Sequence, residues 1–355
     1  MIEIVSAAME TRIGRTDPVK RQGLFDQALH LLTLENSRFR QFSFDQECRR
    51  NHFAANPQRR NVFIAGMARA GSTALLNAIF ASGQFAATTY ALMPFALAPS
   101  LANRMSSLYH GQVTPVERFQ GDSIRVSKES PEALDGIFWS TYFPTLSETV
   151  QPHQVPSNIL EKYAMHIENQ LTFASARRYL CKMNQSIDKL ESLANYFTHS
   201  SFLIPFRNPL QQAMSLLRQH HRFSNLSWYD KRYMKWQQHY EFGDLHRGFG
   251  IAAAKQEPES LNYWLRQWQT VHQYLSELAQ RYDNLIPLRY ESITTSLNVR
   301  QQLSRRLDTE LEMDSHKNQN REHPAADENL EPALLDSCSQ LYDELSNQFE
   351  TRLCA

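Results

Sequence analysis

Asn61-Val-Phe-Ile-Ala-Gly-Met-Ala-Arg-Ala-Gly-Ser-Thr-Ala-Leu-Leu-Asn-Ala-Ile-Phe80 decides the fold. A short apolar run ends in Gly66, a tight loop carries the second glycine at Gly71, and Ala74–Phe80 has helical texture. The stretch therefore predicts a strand, a loop and a helix in that order. A second unit of the same kind follows at Ser201-Phe-Leu-Ile-Pro-Phe206 and Arg207-Asn-Pro-Leu-Gln-Gln-Ala-Met-Ser-Leu-Leu217. There Asn208 suits an N-cap, and Pro209 suits the first helical position, where its missing N–H costs nothing. Tyr179-Leu-Cys-Lys-Met183 and Asn284-Leu-Ile-Pro-Leu-Arg-Tyr290 add two more candidate strands.

Between the last two strands Leu261, Trp264, Leu265, Trp268, Val271, Tyr274, Leu275 and Leu278 recur at spacings of three and four. That period predicts a long helix with both tryptophans in the core and not on a base-stacking platform. Strands separated by helices predict an α/β fold of three layers, P-loop-like, with a mainly parallel sheet flanked by helices. Residues 1–60 are expected to form an N-terminal helical extension packed on a main α/β domain at 61–355. In the extension, Leu24, Phe25, Ala28, Leu29, Leu31 and Leu32 give residues 17–34 an amphipathic helical face, while 48–61, arginine-rich and holding Pro57, suits a lead-in. The polar segment near 308–332 is expected to be mobile, ahead of a last helix at about 330–350.

Lysine plus arginine and aspartate plus glutamate both number 37, for a formal charge of zero. Such balance removes the usual warrant for a general nucleic-acid or anionic-membrane binder, so any anion site must be local. With 42% hydrophobic residues the chain is too apolar for a disordered one. Cys48, Cys181, Cys338 and Cys354 are scattered without short pairing, which indicates neither a zinc site nor a disulfide framework. No run approaches the roughly 20 apolar residues of a membrane span. Glu3, Glu10, Arg12 and Arg15 interrupt anything like a secretory signal. A soluble cytoplasmic protein is expected.

Gly66 and Gly71-Ser72-Thr73 have the spacing of a Walker A loop, but Ser72 stands where that motif requires lysine. In a nucleoside triphosphatase the lysine reaches the β- and γ-phosphates and the following hydroxyl holds magnesium. Here Arg69 is the only cation of the loop, although backbone N–H groups at the helix start can still cradle a phosphate. In the second unit Arg207 at a strand end and Ser215 eight residues on can offer charge and a hydroxyl to a second anion. Two anion sites suggest a ligand phosphorylated at two places. The bland alternatives are a glycine turn that only joins strand to helix, and an Arg207 that pairs with a nearby carboxylate.

Taken together, Arg69-Ala-Gly-Ser-Thr73, Arg207-Asn-Pro with Ser215, and Tyr290-Glu-Ser make the chain resemble the sulfotransferase family that uses 3′-phosphoadenosine-5′-phosphosulfate, PAPS. The ordered set spans roughly 60–295, and Tyr90-Ala-Leu-Met-Pro-Phe95, Ser130-Pro-Glu-Ala-Leu-Asp135 and Leu216-Leu-Arg-Gln-His220 are similar in texture to bacterial members. The resemblance implies that Arg69, Ala70, Gly71, Ser72 and Thr73 hold the 5′-phosphosulfate, that Arg207 and Ser215 hold the 3′-phosphate, and that Tyr290 contacts adenine. Arg69 stands where animal cytosolic members carry lysine, and Ala74 where they carry an adenine-stacking tryptophan. Their basic Arg-Lys-Gly ending is absent, with Lys317 and Arg321 as weak substitutes.

The implied reaction moves a sulfuryl group from PAPS to a hydroxyl or amine of a carbohydrate or small-metabolite acceptor. It rests on positioning and on charge stabilisation at the leaving oxygen, a task suited to the always-charged, bidentate Arg69. No metal is expected. Candidate bases for the acceptor's proton are Asp122, Glu129, Glu132 and Asp135, with His110 behind them. Glu132 ranks first, because Ser130-Pro131-Glu132 suggests a helix start with the carboxylate in its first turn, although it could serve there only to favour the helix electrostatically. The competing functions are a P-loop nucleotide kinase, which the missing lysine disfavours, and a noncatalytic nucleotide-binding protein.

Overall fold

The computed structural model describes residues 24–106, 116–117, 125–144, 147–250, 257–311 and 330–354. Five strands form one parallel sheet: β1 (Val62–Ile64), β2 (Phe85–Ala86), β5 (Arg178–Lys182), β6 (Ser201–Phe206) and β7 (Leu285–Arg289), in the order β2-β5-β1-β6-β7. The short strands β3 (Val116–Glu117) and β4 (Arg125–Val126) pair antiparallel apart from it. Within the sheet Val62 registers with Leu180 on one side and Ser201 on the other, and Phe202 registers with Leu285. Strands β1, β5, β6 and β7 are buried along almost their whole length, as expected of a parallel sheet covered on both faces.

Helices supply the covering layers. In chain order they are α1 (Leu24–Leu34), α2 (Ser37–Asn51), α3 (Ser72–Phe80), α4 (Pro99–Met105), α5 (Gly136–Tyr142), α6 (Ser157–Phe173), α7 (Leu190–Tyr196), α8 (Pro209–Arg222), α9 (Trp228–Trp236), α10 (Leu261–Arg281), α11 (Tyr290–Thr295), α12 (Leu297–Leu307) and α13 (Pro332–Cys354). α3 and α6 pack against β5, and α10 and α13 pack against β7. The result is a three-layer α/β fold. Trp264 and Trp268 are both fully buried, as the period of α10 implies. On one face of the sheet Phe63 stacks on Phe202 at 4.8 Å and meets Tyr163, which Phe138 and Trp139 flank in turn.

Sequence spacing under-reads the N-terminal part. Ser37–Asn51 is a helix capped by Asn36, whose side chain accepts from Phe39 N, so Cys48–Asn51 is helix and not lead-in. Its buried face is mostly polar, with Arg40 donating to Thr141 at 2.7 Å and Glu47 accepting from Ser100 N at 3.2 Å, and Phe44 alone among them makes no apolar stripe to detect. His30 of α1 meets the Tyr229 hydroxyl at 2.6 Å, and Glu35 accepts from Trp236 Nε1 at 2.8 Å. Cys48, Cys181 and Cys338 are free thiols. Much of the expected mobile segment near 308–332, with Lys317 and Arg321, lies outside the described residues, as do Asp122 and His110. No helix among the described residues is long and apolar enough to cross a membrane.

The topology fixes where a ligand can sit. From β1 the chain runs through α3 to β2 at one edge of the sheet, whereas from β6 it runs through α8 and α10 to β7 at the other. Connections leaving neighbouring strands in opposite directions open a crevice at their carboxyl ends. Both anion motifs lie there.

Candidate active site

The loop after β1 owes its shape to three residues with positive φ, Gly66 at +120°, Arg69 at +70° and Gly71 at +85°. Gly71 is the N-cap of α3, whose first residues Ser72 and Thr73 are buried. It must be glycine on two counts. A Cβ there would strain the backbone and would lie 2.3 Å from the ring carbons of Tyr290. Tyr290, at the end of β7, thus rests directly on the loop, and it also faces the Arg207 guanidinium at 5.5 Å from its ring centre. One aromatic ring joins the two anion motifs.

A hydrogen bond joins them as well. Arg69 Nε donates to Ser215 Oγ at 3.1 Å, although 146 positions separate them in the chain. Arg207 leaves the end of β6 and donates to Gln211 Oε1 from Nε at 3.3 Å and Nη2 at 3.0 Å. Among the described residues its pairing is with a neutral amide one helical turn on and not with a carboxylate. Asn208 caps α8 by accepting from Gln211 N at 3.1 Å, with Pro209 in the first turn, as the sequence implies. Glu291, the middle residue of Tyr290-Glu-Ser, accepts from Asn208 N at 3.0 Å and so braces this turn. The loop after β1 is braced too. Gln212 Nε2 donates to the Ala68 carbonyl at 2.9 Å, while its oxygen accepts from Trp268 Nε1 at 3.0 Å.

A residue that sequence reading passed over supplies a further cation. Lys182 ends β5, the other neighbour of β1, and its buried Nζ donates to Thr73 Oγ1 at 3.2 Å and pairs with Glu132 Oε1. The loop that lacks a lysine in its own sequence therefore receives one across the sheet. Nothing local could have flagged it, because a single lysine in an apolar strand has no motif around it; its partners lie 109 and 50 positions away.

Glu132 reaches the site by another route than the expected one. No helix starts at Ser130: Pro131 bridges Thr89, and α5 begins only at Gly136 with Asp135 as N-cap. Glu132 sits in the irregular approach, 4% exposed, accepting from Ala133 N at 2.9 Å and from the Tyr90 hydroxyl at 3.0 Å. Its place comes from a β-bridge, which fixes residue 131 in extended backbone and rules out helix there. Glu129 points away, its side chain 73% exposed beside Lys128.

Asp135 is buried structure. It accepts from Thr88 at 2.9 Å, Tyr179 at 2.7 Å and Tyr163 at 2.6 Å. Burial by itself would raise this carboxyl, but His166 at 3.7 Å and the two phenols outweigh it and hold the group down at about 2. A depressed carboxylate contributes stability above its unfolded value and loses it as pH falls through the folded one. The contribution is about 2 kcal/mol. Asp135→Asn should accordingly lower stability at pH 7 by about that much and flatten the fall in stability between pH 4 and pH 2, measured by urea titration at each pH.

Beyond the loop opens a cleft with about 70 Å³ of cavity, continuous with open solvent. It is contributed by Met67 and Ala68, by Asn184 and Gln185 after β5, by Leu216 of α8, by the 238–249 segment and by α10. Glu241 lines it. Burial works to raise this carboxyl, yet His239 at 3.3 Å, with a smaller effect from Lys182, leaves it below the ordinary value. His246, also on the wall, is pushed down to about 4 by burial, so it is neutral at pH 7. Among the described residues no group of three or more His, Cys, Asp and Glu is arranged to hold a metal ion.

Comparison with known proteins fits this arrangement. No curated protein matches the chain in sequence. Among solved structures, the sulfotransferase STF9 from Mycobacterium avium is similar, with a TM-score of 0.50 at 14% identity, over 95% of this chain and 87% of that one. Sulfotransferase STF1 from Mycobacterium tuberculosis H37Rv gives a TM-score of 0.48 at 11% identity, over 92% and 87%. At such identities the likeness concerns fold alone. Sequence family carries more, since the model of the sulfotransferase family matches residues 61–312, from the first residue of the phosphate-loop stretch past α12. The chain belongs to the sulfotransferase family.

Proposed function

We propose that the chain transfers a sulfuryl group from PAPS to a hydroxyl or amine of a carbohydrate or small-metabolite acceptor. One observation carries this most directly: Arg69 of the phosphate loop and Ser215 of the second motif are hydrogen-bonded to each other at the crevice between β1 and β6. A single ligand with two anionic ends suits such a pair of joined sites. The residues also suit the donor chemically. The glycine cradle under Tyr290 admits close backbone approach, Arg69, Lys182 and the N–H groups at the start of α3 suit a phosphosulfate, and Arg207 with Ser215 suits a second phosphate.

The chain's own residues then have distinct tasks. The acceptor oxygen or nitrogen bonds to sulfur as the bond from sulfur to the phosphate oxygen breaks. That oxygen keeps the electron pair, and Arg69 and Lys182 stabilise the charge it gains. Glu132 takes the acceptor's proton. Lys182 links the two events, because its ammonium already bridges Thr73 of the cradle and Glu132 of the base. An anion that draws Lys182 toward Thr73 frees the carboxylate to accept the proton.

Adenosine 3′,5′-bisphosphate tests the donor assignment without requiring an acceptor. It should raise thermal stability without added magnesium, by about 2.7 kcal/mol at 100 times its Kd. Adenosine monophosphates lacking either phosphate should stabilise less. Equal shifts from one- and two-phosphate nucleotides, or a requirement for magnesium and a triphosphate, would speak for the kinase alternative.

A further inference from the structure

Helix α13 carries none of the motif residues, and it begins past the last residue of the family match. Leu334, Cys338, Leu341, Leu345 and Phe349 recur along its buried face at spacings of three and four, so apolar contact docks it beside β7. Tyr342 belongs to that face, only 9% exposed, and its ring meets Phe206 edge-on at 5.6 Å. A phenylalanine would satisfy this packing. The hydroxyl answers to something else.

It stands between two residues of opposite charge, accepting from Arg289 Nε at 2.8 Å and donating to Glu291 Oε2 at 3.0 Å. These are the chain neighbours of Tyr290, the ring that rests on Gly71. The other oxygen of Glu291 accepts from Asn208 N at 3.0 Å, and that N–H belongs to the peptide that joins Arg207 to Asn208. Phe206, against which Tyr342 packs, precedes Arg207. Tyr342 thus touches both sides of Arg207, one through its ring and the other through a single carboxylate.

Hydrogen bonds to charged groups are the strong ones, and this phenol makes one with each partner. Without its oxygen the two charges, 4.0 Å apart between Arg289 Nε and Glu291 Oε2, are free to close on each other and draw the carboxylate off the Asn208 amide. Arg207 itself bonds to the neutral amide of Gln211, in the helix that this same turn begins. The direction of its guanidinium therefore depends on how the turn is set.

We infer that Tyr342 is a positioning residue for the second anion site: its hydroxyl holds Glu291 on the amide after Arg207 and so sets where the guanidinium meets a phosphate. The inference rests on the sulfuryl-transfer function proposed above, and it names a residue far from the motifs that governs donor affinity.

The test titrates adenosine 3′,5′-bisphosphate and adenosine 5′-phosphate into wild type, Tyr342→Phe and Gln348→Ala, and follows hydrogen exchange at the Asn208 amide in the unliganded proteins. Gln348 lies on the same helix but donates to Ser276 at 2.8 Å, so its variant reports what a lost α13 contact does in general. Tyr342→Phe should raise the Kd of the bisphosphate about tenfold. Its affinity for the 5′-phosphate should stay close to wild type, and the Asn208 amide should exchange faster while α10 keeps its protection. Gln348→Ala should do none of this. In a Glu291→Ala background the Tyr342→Phe change should add little, since no carboxylate remains to hold. Unchanged affinity in Tyr342→Phe, equal losses for both nucleotides, or a selective loss with Asn208 exchange unaltered overturns the inference and leaves the transfer function standing. If wild type binds the bisphosphate no better than the 5′-phosphate, the transfer function fails instead. Hydrogen exchange then decides the positioning alone: faster exchange confined to Asn208 supports it, and unaltered exchange overturns it.

Discussion

Turnover at saturating donor should fall about 100–10000-fold in Glu132→Gln, the usual contribution of a general base. The amide keeps the shape of the side chain and can still accept from Tyr90, but it cannot take a proton at neutral pH. It also leaves the buried Lys182 without its carboxylate, and breaking a buried ion pair costs about 3–5 kcal/mol. Loss of activity must therefore be separated from loss of fold. Bisphosphate affinity measured below the melting transition should stay close to wild type, and Glu132→Asp, which restores an ionisable group, should recover part of the turnover. Glu129→Gln should be silent, given its exposure. If Glu132→Gln turns over normally and Asp122→Asn collapses, the base is Asp122. If all three remain active, His110 is the next candidate.

The second large effect is expected at Arg69. Arg69→Ala should lower turnover by about 100–1000-fold even at saturating donor, because its contact strengthens as charge develops on the leaving oxygen. Arg207→Ala and Ser215→Ala should instead weaken donor binding more than they slow the chemistry. Since Arg69 and Ser215 touch, the double variant should lose less than the sum of the single ones. Arg69→Gly provides the control for folding. The residue sits at φ +70°, where glycine is at ease, so this variant should be no less stable than Arg69→Ala while sharing its catalytic loss. Wild-type turnover in either variant would remove Arg69 from the transition state.

Local rules served well where the chain makes the site from neighbours. The turn at Gly66–Thr73 and the Asn208-Pro209 cap are each complete within a few residues, and both were legible as strand, turn and helix. Lys182, Gln212 and Glu291 were not. Each acts on a loop that sequence places far away, and a lone polar residue in an apolar segment looks the same whether it faces a ligand or another side chain. The approach to α5 failed differently: Pro131 suits a helix start on local grounds, but its bridge to Thr89 holds it extended. Helix α2 escaped because its inner face buries Arg40, Ser43 and Glu47 through polar contacts, which hydrophobic spacing cannot register.

The sheet order bears on how the molecule is made during translation. β1 is the centre of the sheet, yet neither strand that flanks it is near it in sequence; β6 emerges about 140 residues later, which at ordinary synthesis rates of about 5–20 residues per second is about 7–30 s. Until then β1 has an unpaired edge, and the loop that follows it lacks both the serine that fixes its arginine and the glutamine that holds its carbonyls. The nascent chain thus carries its glycine loop early but cannot shape it before α8 has been made. Tyr290 comes later still, after β7, so the ring that rests on the loop at Gly71 joins it only near the close of the sheet.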